Sequence, residues 1–316
     1  MRSLLAALLP AMLLVLAALP ARGGPALVFE PETGAVLHAH EPFQRWHPAS
    51  LTKLMTLYIL FDDIERGELR LKTPVVVSDR AVAIGANTMG WPAGTEIELG
   101  EAITILTTKS ANDIAVAVAE AAAGSEAAFV TRMNETAARL GMRDTRFANP
   151  HGLHDPGQYM TARDIAVLSR AMIQRFPRFM PSFAVAEGRV RGEEVRGHNQ
   201  LLGRFEGADG LKTGYVCAAG WNIAASATRG GRQLVAIVLG GLREGHREEI
   251  AGDFLEAGFS GELRGTGLTL GDLARPETAG EPVNMRPYVC EGQTPPARLA
   301  SFGRSQAPLP RPRPQD

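Results

Sequence analysis

Apolar residues divide the chain into two kinds of run. Residues 26–39, ALVFEPETGAVLHA, alternate and predict two short strands around the turn Glu32-Thr33-Gly34. A helix is predicted from about Ser50 to Asp62. Residues 102–123 are also helical in pattern, but Lys109-Ser110-Ala111-Asn112 breaks the run with turn-forming residues. Residues 126–141 carry Phe129, Met133, Ala137 and Leu140 at helical spacing. A loop dense in breakers follows, Asn149-Pro150-His151-Gly152 through Asp155-Pro156-Gly157. Thr161 then starts a helix, with Asp164 three residues on as a near capping box.

The second half changes character. Residues 183–190 and 194–197 predict strands. So do the apolar runs Leu211–Val216, Asn222–Thr228 and Leu234–Leu239, which are separated by Gly-containing turns. A last helix is predicted from about Arg247 to Ala257. Strands at both ends with helices between them imply an antiparallel sheet of about five strands, an α/β (α+β type) fold in which a helical cluster flanks the sheet. The N-terminal hairpin joins the C-terminal strands in that sheet.

The two ends read differently. Met1-Arg2-Ser3 is a basic start, Leu4 to Leu19 is almost wholly apolar, and small residues follow at Ala21-Arg22-Gly23-Gly24. The run falls short of the ~20 residues needed to span a bilayer. The layout is that of a secretory signal peptide over 1–23, cleaved near Ala21 to Gly23, and it predicts export to the periplasm. No later apolar run is long enough to span a bilayer, so no stable membrane anchor is expected. The folded domain is expected over 24–262. Nine of the 21 prolines fall after residue 262, and residues 263–316 read as a largely disordered tail with no C-terminal β domain. The chain has 316 residues and a formal net charge of -1, which points to neither nucleic acid nor an anionic surface. The two cysteines, Cys217 and Cys290, suggest a disulfide if the protein is exported and two separate thiols if it is not.

The segment PASLTK places Ser50 and Lys53 three residues apart, on one face of the predicted helix. A serine is a poor nucleophile unless a base takes its proton. A lysine serves as that base only where burial or a neighbouring cation lowers its pKa. Two further segments supply the missing parts. Lys109-Ser110-Ala111-Asn112 presents a hydroxyl and an amide at a helix break. In Lys212-Thr213-Gly214, on a predicted strand, Lys212 and Gly214 share a side. Lys212 brings positive charge towards Lys53, Thr213 offers a hydroxyl, and Gly214 leaves room for a ligand against the backbone.

With these three motifs in this order, the chain resembles the low-molecular-mass penicillin-binding proteins, the serine D-alanyl-D-alanine carboxypeptidases. The likeness runs over about 25–260 and is carried by PASLTKLMT, KSANDIAVAVAEAAAGS, FVTRMNETAARLGM, NPHGLHDPGQYMTARDIAVLSRA, HNQLLG and DGLKTG. It implies a β-lactamase/transpeptidase-like fold that works without a cofactor or a metal. The implied substrates are peptidoglycan stem peptides ending in D-Ala-D-Ala, with β-lactams as covalent inhibitors. It also implies roles. Ser50 is acylated, Lys53 is the general base, Ser110 shuttles a proton and Asn112 binds the substrate peptide. Lys212 supplies the field and Thr213 holds the terminal carboxylate. The N–H groups of Ser50 and Tyr215 form the oxyanion hole, and Arg247 occupies the carboxylate-binding position, with Arg243 as a nearby competitor. Three departures stand out: Ala111 where glycine is common, Val216 where threonine is frequent, and the tail. An endopeptidase acting on cross-linked peptidoglycan and a non-catalytic peptidoglycan-binding relative share these motifs. A class A β-lactamase does not fit, because no Glu-x-x-Leu-Asn segment lies between Asn112 and Lys212. If Cys217 and Cys290 pair, the tail is pinned beside the site. His151 and His154 sit in a Pro/Gly loop and are read as non-metal residues.

Overall fold

A computed structural model describes residues 24–277, 280–296 and 299; the expected signal segment 1–23 lies outside the described residues. The first half of the chain forms β1 (Ala26–Phe29), β2 (Val36–His40), α1 (Lys53–Glu65), β3 (Pro74–Val76), α2 (Asp79–Val82) and β4 (Glu96–Glu98). The helices α3 (Leu99–Thr107), α4 (Asn112–Ala123), α5 (Glu126–Arg139) and α6 (Ala162–Arg175) follow. The second half forms β5 (Glu187–Val190), β6 (Glu193–Arg196), β7 (Ala208–Val216), β8 (Gly220–Arg229), β9 (Arg232–Gly241), α7 (His246–Phe259) and α8 (Arg286–Val289).

The main sheet has the strand order β2-β1-β9-β8-β7, and all its pairings are antiparallel. As expected, the N-terminal hairpin completes a sheet made by the C-terminal strands. Successive side chains on a strand point to opposite faces. Val235, Ile237 and Leu239 of β9, with Leu27 and Phe29 of β1, therefore enter the core under the helical cluster. Leu234, Ala236 and Val238, with Ala26 and Val28, pack on the other face with Ile250, Ala251, Phe254 and Leu255 of α7. Burial on both faces is why β8 and β9 read as continuous apolar runs rather than alternating ones. The outer strand β7 has one strand neighbour, β8, and packs against the 3-10 turn Ala49–Thr52 that leads into α1.

Two expectations change. The strand expected from residue 183 begins at Glu187, because Pro177–Ala184 is a 3-10 helix. Pro177 and Pro181 have no N–H to give to a sheet ladder, and Phe179 and Phe183, four residues apart, both bury in the core. The tail also differs. Residues 263–277 and 280–296, expected to be largely disordered, lie along the domain and bury Leu263, Leu270, Leu273 and Met285. Arg275 binds Asp144 through two hydrogen bonds of 2.6 and 2.7 Å. Cys290 is disulfide-bonded to Cys217. Sparse apolar anchors in a Pro/Gly-rich stretch carry no periodicity, so composition alone hid them. Among the described residues, no single helix is long and apolar enough to cross a membrane.

Candidate active site

Ser50 lies in a 3-10 turn, Ala49–Thr52, that runs into α1 at Lys53. Side chains three apart eclipse one another in such a turn, so Ser50 and Lys53 meet. Their Oγ and Nζ atoms are 3.1 Å apart. Ala49, just before the serine, has φ +50°, a left-handed conformation that costs a residue with a Cβ about 1–2 kcal/mol. Three elements hold it there. Asn222 of β8 is fully buried and donates Nδ2 to the carbonyls of His47 and Pro48, at 3.0 and 3.3 Å. Gly152 packs so closely that a Cβ there would stand 2.0 Å from the Ala49 carbonyl oxygen. A Cβ on Gly214 would stand 2.8 Å from the Ser50 nitrogen. The space expected to admit a ligand at Gly214 is thus taken by the chain itself: β7 needs a glycine to press against the nucleophile's backbone.

Lys53 is wholly buried. Its Nζ donates to Asn112 Oδ1 at 2.6 Å and to the His151 carbonyl at 2.5 Å. Burial, and then the charge of Lys212, hold its pKa well below the ordinary lysine range, while Asp113 pulls the other way. Both the amide oxygen and the carbonyl only accept. A neutral amine therefore commits its two protons to them and turns its lone pair towards the Ser50 hydroxyl. That is the arrangement a general base requires. Asn112 also donates Nδ2 to the Ala86 carbonyl, which fixes which end of its amide faces Lys53.

Lys212 is buried on β7 and donates to the Thr213 carbonyl at 3.1 Å. Its pKa is pushed down to about 7, by burial first and then by the charge of Arg247. Ser110 sits at the break between α3 and α4 with φ +62°. Its hydroxyl is buried and has no hydrogen-bond partner among the described residues. Two residues with a Cβ, Ala49 and Ser110, are thus left-handed within one site, a strain that persists only where the surroundings enforce it.

Thr213 follows Lys212 and is buried, while Tyr215 is 39% exposed and stacks on Trp221 at 4.1 Å. Arg247 is buried at the start of α7. Its guanidinium donates to Glu248 Oε1 at 2.7 Å, to the Gly214 carbonyl at 3.1 Å and to the His198 carbonyl at 3.2 Å. It lies over the Trp221 ring, 5.0 Å from the centroid. Arg247 therefore reaches the site through β7 and the field it casts on Lys212. Arg243 instead pairs with Glu249 in solvent. The structure thus brings Ser50, Lys53 and Asn112 into one hydrogen-bonded group with the charge of Lys212 acting on it, and Cys217 is bonded to Cys290. The His151 carbonyl, Gly152 and Asn222 join the site without being predicted from the sequence. The only signal for the first two was the Pro/Gly density of their loop, and Asn222 stood unmarked inside a strand run.

A family model for D-alanyl-D-alanine carboxypeptidase matches residues 17–242. D-alanyl-D-alanine carboxypeptidase DacD of Escherichia coli is 37% identical over 233 residues, 72% of this chain and 60% of the relative. The chain spans about three fifths of the length of the first curated relatives it matches. Penicillin binding protein 6B from Escherichia coli superposes with a TM-score of 0.72 at 35% identity, covering 78% of this chain and 80% of that one. Penicillin-Binding Protein D2 from Listeria monocytogenes, solved in an ampicillin-bound form, superposes with a TM-score of 0.69 at 27% identity, covering 75% of this chain and 97% of that one. With the expected sheet, helical cluster and hydrogen-bonded Ser50–Lys53 pair in place, these matches show that the chain belongs to the D-alanyl-D-alanine carboxypeptidase family.

Proposed function

We propose that the protein is a serine carboxypeptidase that removes the terminal D-alanine from peptidoglycan stem pentapeptides. The observation that carries this is the Lys53 amine, buried beside Lys212 and aimed at Ser50 Oγ. Ser50 Oγ attacks the carbonyl carbon of the penultimate D-alanine, and its proton passes to Lys53. The resulting oxyanion is received by the N–H groups of Ser50 and Tyr215, preorganised donors whose loss one at a time costs about 10²–10³ in rate. As the C–N bond breaks, the leaving amine takes a proton that Ser110 relays, and D-alanine departs. Water then adds to the Ser50 ester, releases the shortened peptide and restores the hydroxyl. Thr213 binds the terminal carboxylate in the positive field of Lys212 and Arg247, and Asn112 faces the peptide amide while it orients Lys53. β-Lactams present the same carbonyl in a ring and acylate Ser50, as the family membership and the ampicillin-bound structural relative support. The substrate, the basic-then-apolar N-terminus and the disulfide together support action outside the cytoplasm, in the periplasm.

Digestion of purified pentapeptide and cross-linked muropeptides, followed by mass analysis, tests the assignment. Loss of one alanine from the pentapeptide, with cross-links left whole, is the expected result. Cleaved cross-links with intact pentapeptide would instead identify an endopeptidase, and binding without any product would identify a non-catalytic peptidoglycan-binding protein.

Ser110 makes a separate prediction. Its hydroxyl is buried without a partner among the described residues, a state that costs a folded protein about 1–3 kcal/mol. Ser110→Ala should therefore leave the melting temperature unchanged or raise it, while slowing turnover about 10²-fold through loss of proton relay. A variant that lost stability and activity together would contradict this.

A further inference from the structure

The described segment 280–290 contacts Tyr215 and the chain leading into Ser50. Gln44 Nε2 donates to the Glu281 carbonyl at 3.0 Å. Val283 makes a parallel bridge with Trp46, four residues before Ser50. Met285 is fully buried and donates its N–H to the Ala218 carbonyl at 3.0 Å. Cys290 is bonded to Cys217, two residues after Tyr215. Tyr215 Oη lies 3.2 Å from Cys290 Sγ, and the ring it belongs to stacks on Trp221. Trp46 adds a direct tie by donating Nε1 to the Ala219 carbonyl at 2.8 Å. One strap thus fastens the chain leading into Ser50 to the turn leaving Tyr215.

From this juxtaposition we propose that the strap 281–290, closed by the Cys217–Cys290 disulfide, is a positioning element that holds the Ser50 and Tyr215 N–H groups at the spacing the transition state requires. The inference rests on the carboxypeptidase reading above. Its chemical content is specific. An oxyanion hole acts on the transition state more than on the bound substrate, and a misplacement of about 1 Å in such a constellation costs up to about 10²-fold. Loosening the strap therefore lowers the acylation rate constant and leaves binding of the intact substrate nearly unchanged. Cys217, Cys290 and Met285 touch no reacting atom and act through Tyr215 and the Trp46–Ser50 segment.

The test uses the full chain with its disulfide confirmed by mass, and the variant carrying Cys217→Ser and Cys290→Ser together. A fluorescent penicillin is the probe. Stopped-flow labelling separates its dissociation constant from the acylation rate constant, and D-alanine release from a diacetyl-Lys-D-Ala-D-Ala peptide gives kcat and KM. The expected result is a roughly tenfold fall in the acylation constant and in kcat, with the dissociation constant and KM within about twofold. Dithiothreitol should reproduce the fall in the parent chain and have no effect on the serine variant. An unchanged acylation constant overturns the proposal. So does a loss that tracks the unfolded fraction seen by circular dichroism, or one confined to KM. If the serine variant does not fold, the dithiothreitol arm on the parent chain decides by the same criteria. Failure of the parent chain itself to be acylated or to release D-alanine would mark failure of the carboxypeptidase reading, which the other outcomes leave intact.

Discussion

Ser50→Ala is expected to abolish D-alanine release and penicillin labelling, with a fall in kcat of at least about 10⁴-fold. The physical reason is that, among the described residues, no other hydrogen-bond partner of Lys53 can replace the nucleophile. The other atoms that the Lys53 amine touches are the Asn112 amide oxygen and the His151 carbonyl, and neither carries a transferable proton or attacks a carbonyl. Ser110 has a hydroxyl, but it approaches the site from the α3–α4 break. Folding should survive, because the half-buried Ser50 hydroxyl shares one hydrogen bond with Lys53. Truncating it should change stability by no more than about 1 kcal/mol. The check pairs the gel label and the peptide assay with a thermal melt. Retained labelling at an unchanged melting temperature would remove Ser50 from the mechanism. Retained penicillin binding without covalent label is compatible with it, since Thr213 and β7 are untouched.

That serine was visible in the sequence because side-chain chemistry leaves a mark. Ser-x-x-Lys sets two functional groups on one face, Ser110 and Asn112 interrupt an apolar helical run, and Lys-Thr-Gly closes the set. The demand for a second cation, made by the pKa of lysine, is met by Lys212. What stayed hidden is backbone. The His151 carbonyl holds Lys53, and no residue type announces a carbonyl. Gly152 read as one breaker among several, though a Cβ there would meet the Ala49 carbonyl oxygen at 2.0 Å. The fold divides in the same way. β8 and β9 were legible because burial on both faces makes them apolar throughout. The ribbon of β3 and β4 was not: each strand has three residues with one buried, too short to show a period of two. The strap 281–290 was hidden for a third reason. Its anchors are single residues, Met285 and Cys290, whose hold depends on partners far away in the chain. The cysteine count raised the pairing, but only the three-dimensional path shows that it links the approaches to Ser50 and Tyr215.

Removing the charge of Lys212 should cost activity in a way that depends on pH. Burial alone depresses the Lys53 pKa, and the charge of Lys212 depresses it further. A general base works in its neutral form, so acylation rises with pH as Lys53 loses its proton. Lys212→Gln takes away one of the two causes. The Lys53 pKa then rises, less of the amine is neutral at a given pH, and the acidic limb of the acylation profile moves to higher pH. At neutral pH the expected loss is about 10²-fold, part of which returns as the pH is raised. Lys212→Arg keeps the charge and should leave that limb in place, although a guanidinium cannot reproduce the single Nζ contact with the Thr213 carbonyl. The parent enzyme adds a signature of its own. Lys212 has a pKa of about 7, set by burial and by Arg247, so its charge falls away over the range in which Lys53 is needed. The gap between the parent and Lys212→Gln should therefore narrow above about pH 7, where both lack a charge at 212, while Lys212→Arg keeps its cation throughout. Acylation constants from pH 5 to 10 for the three proteins make the comparison. A loss in Lys212→Gln that is uniform across pH would assign Lys212 to holding the substrate carboxylate, and would leave burial as the sole cause of a neutral Lys53.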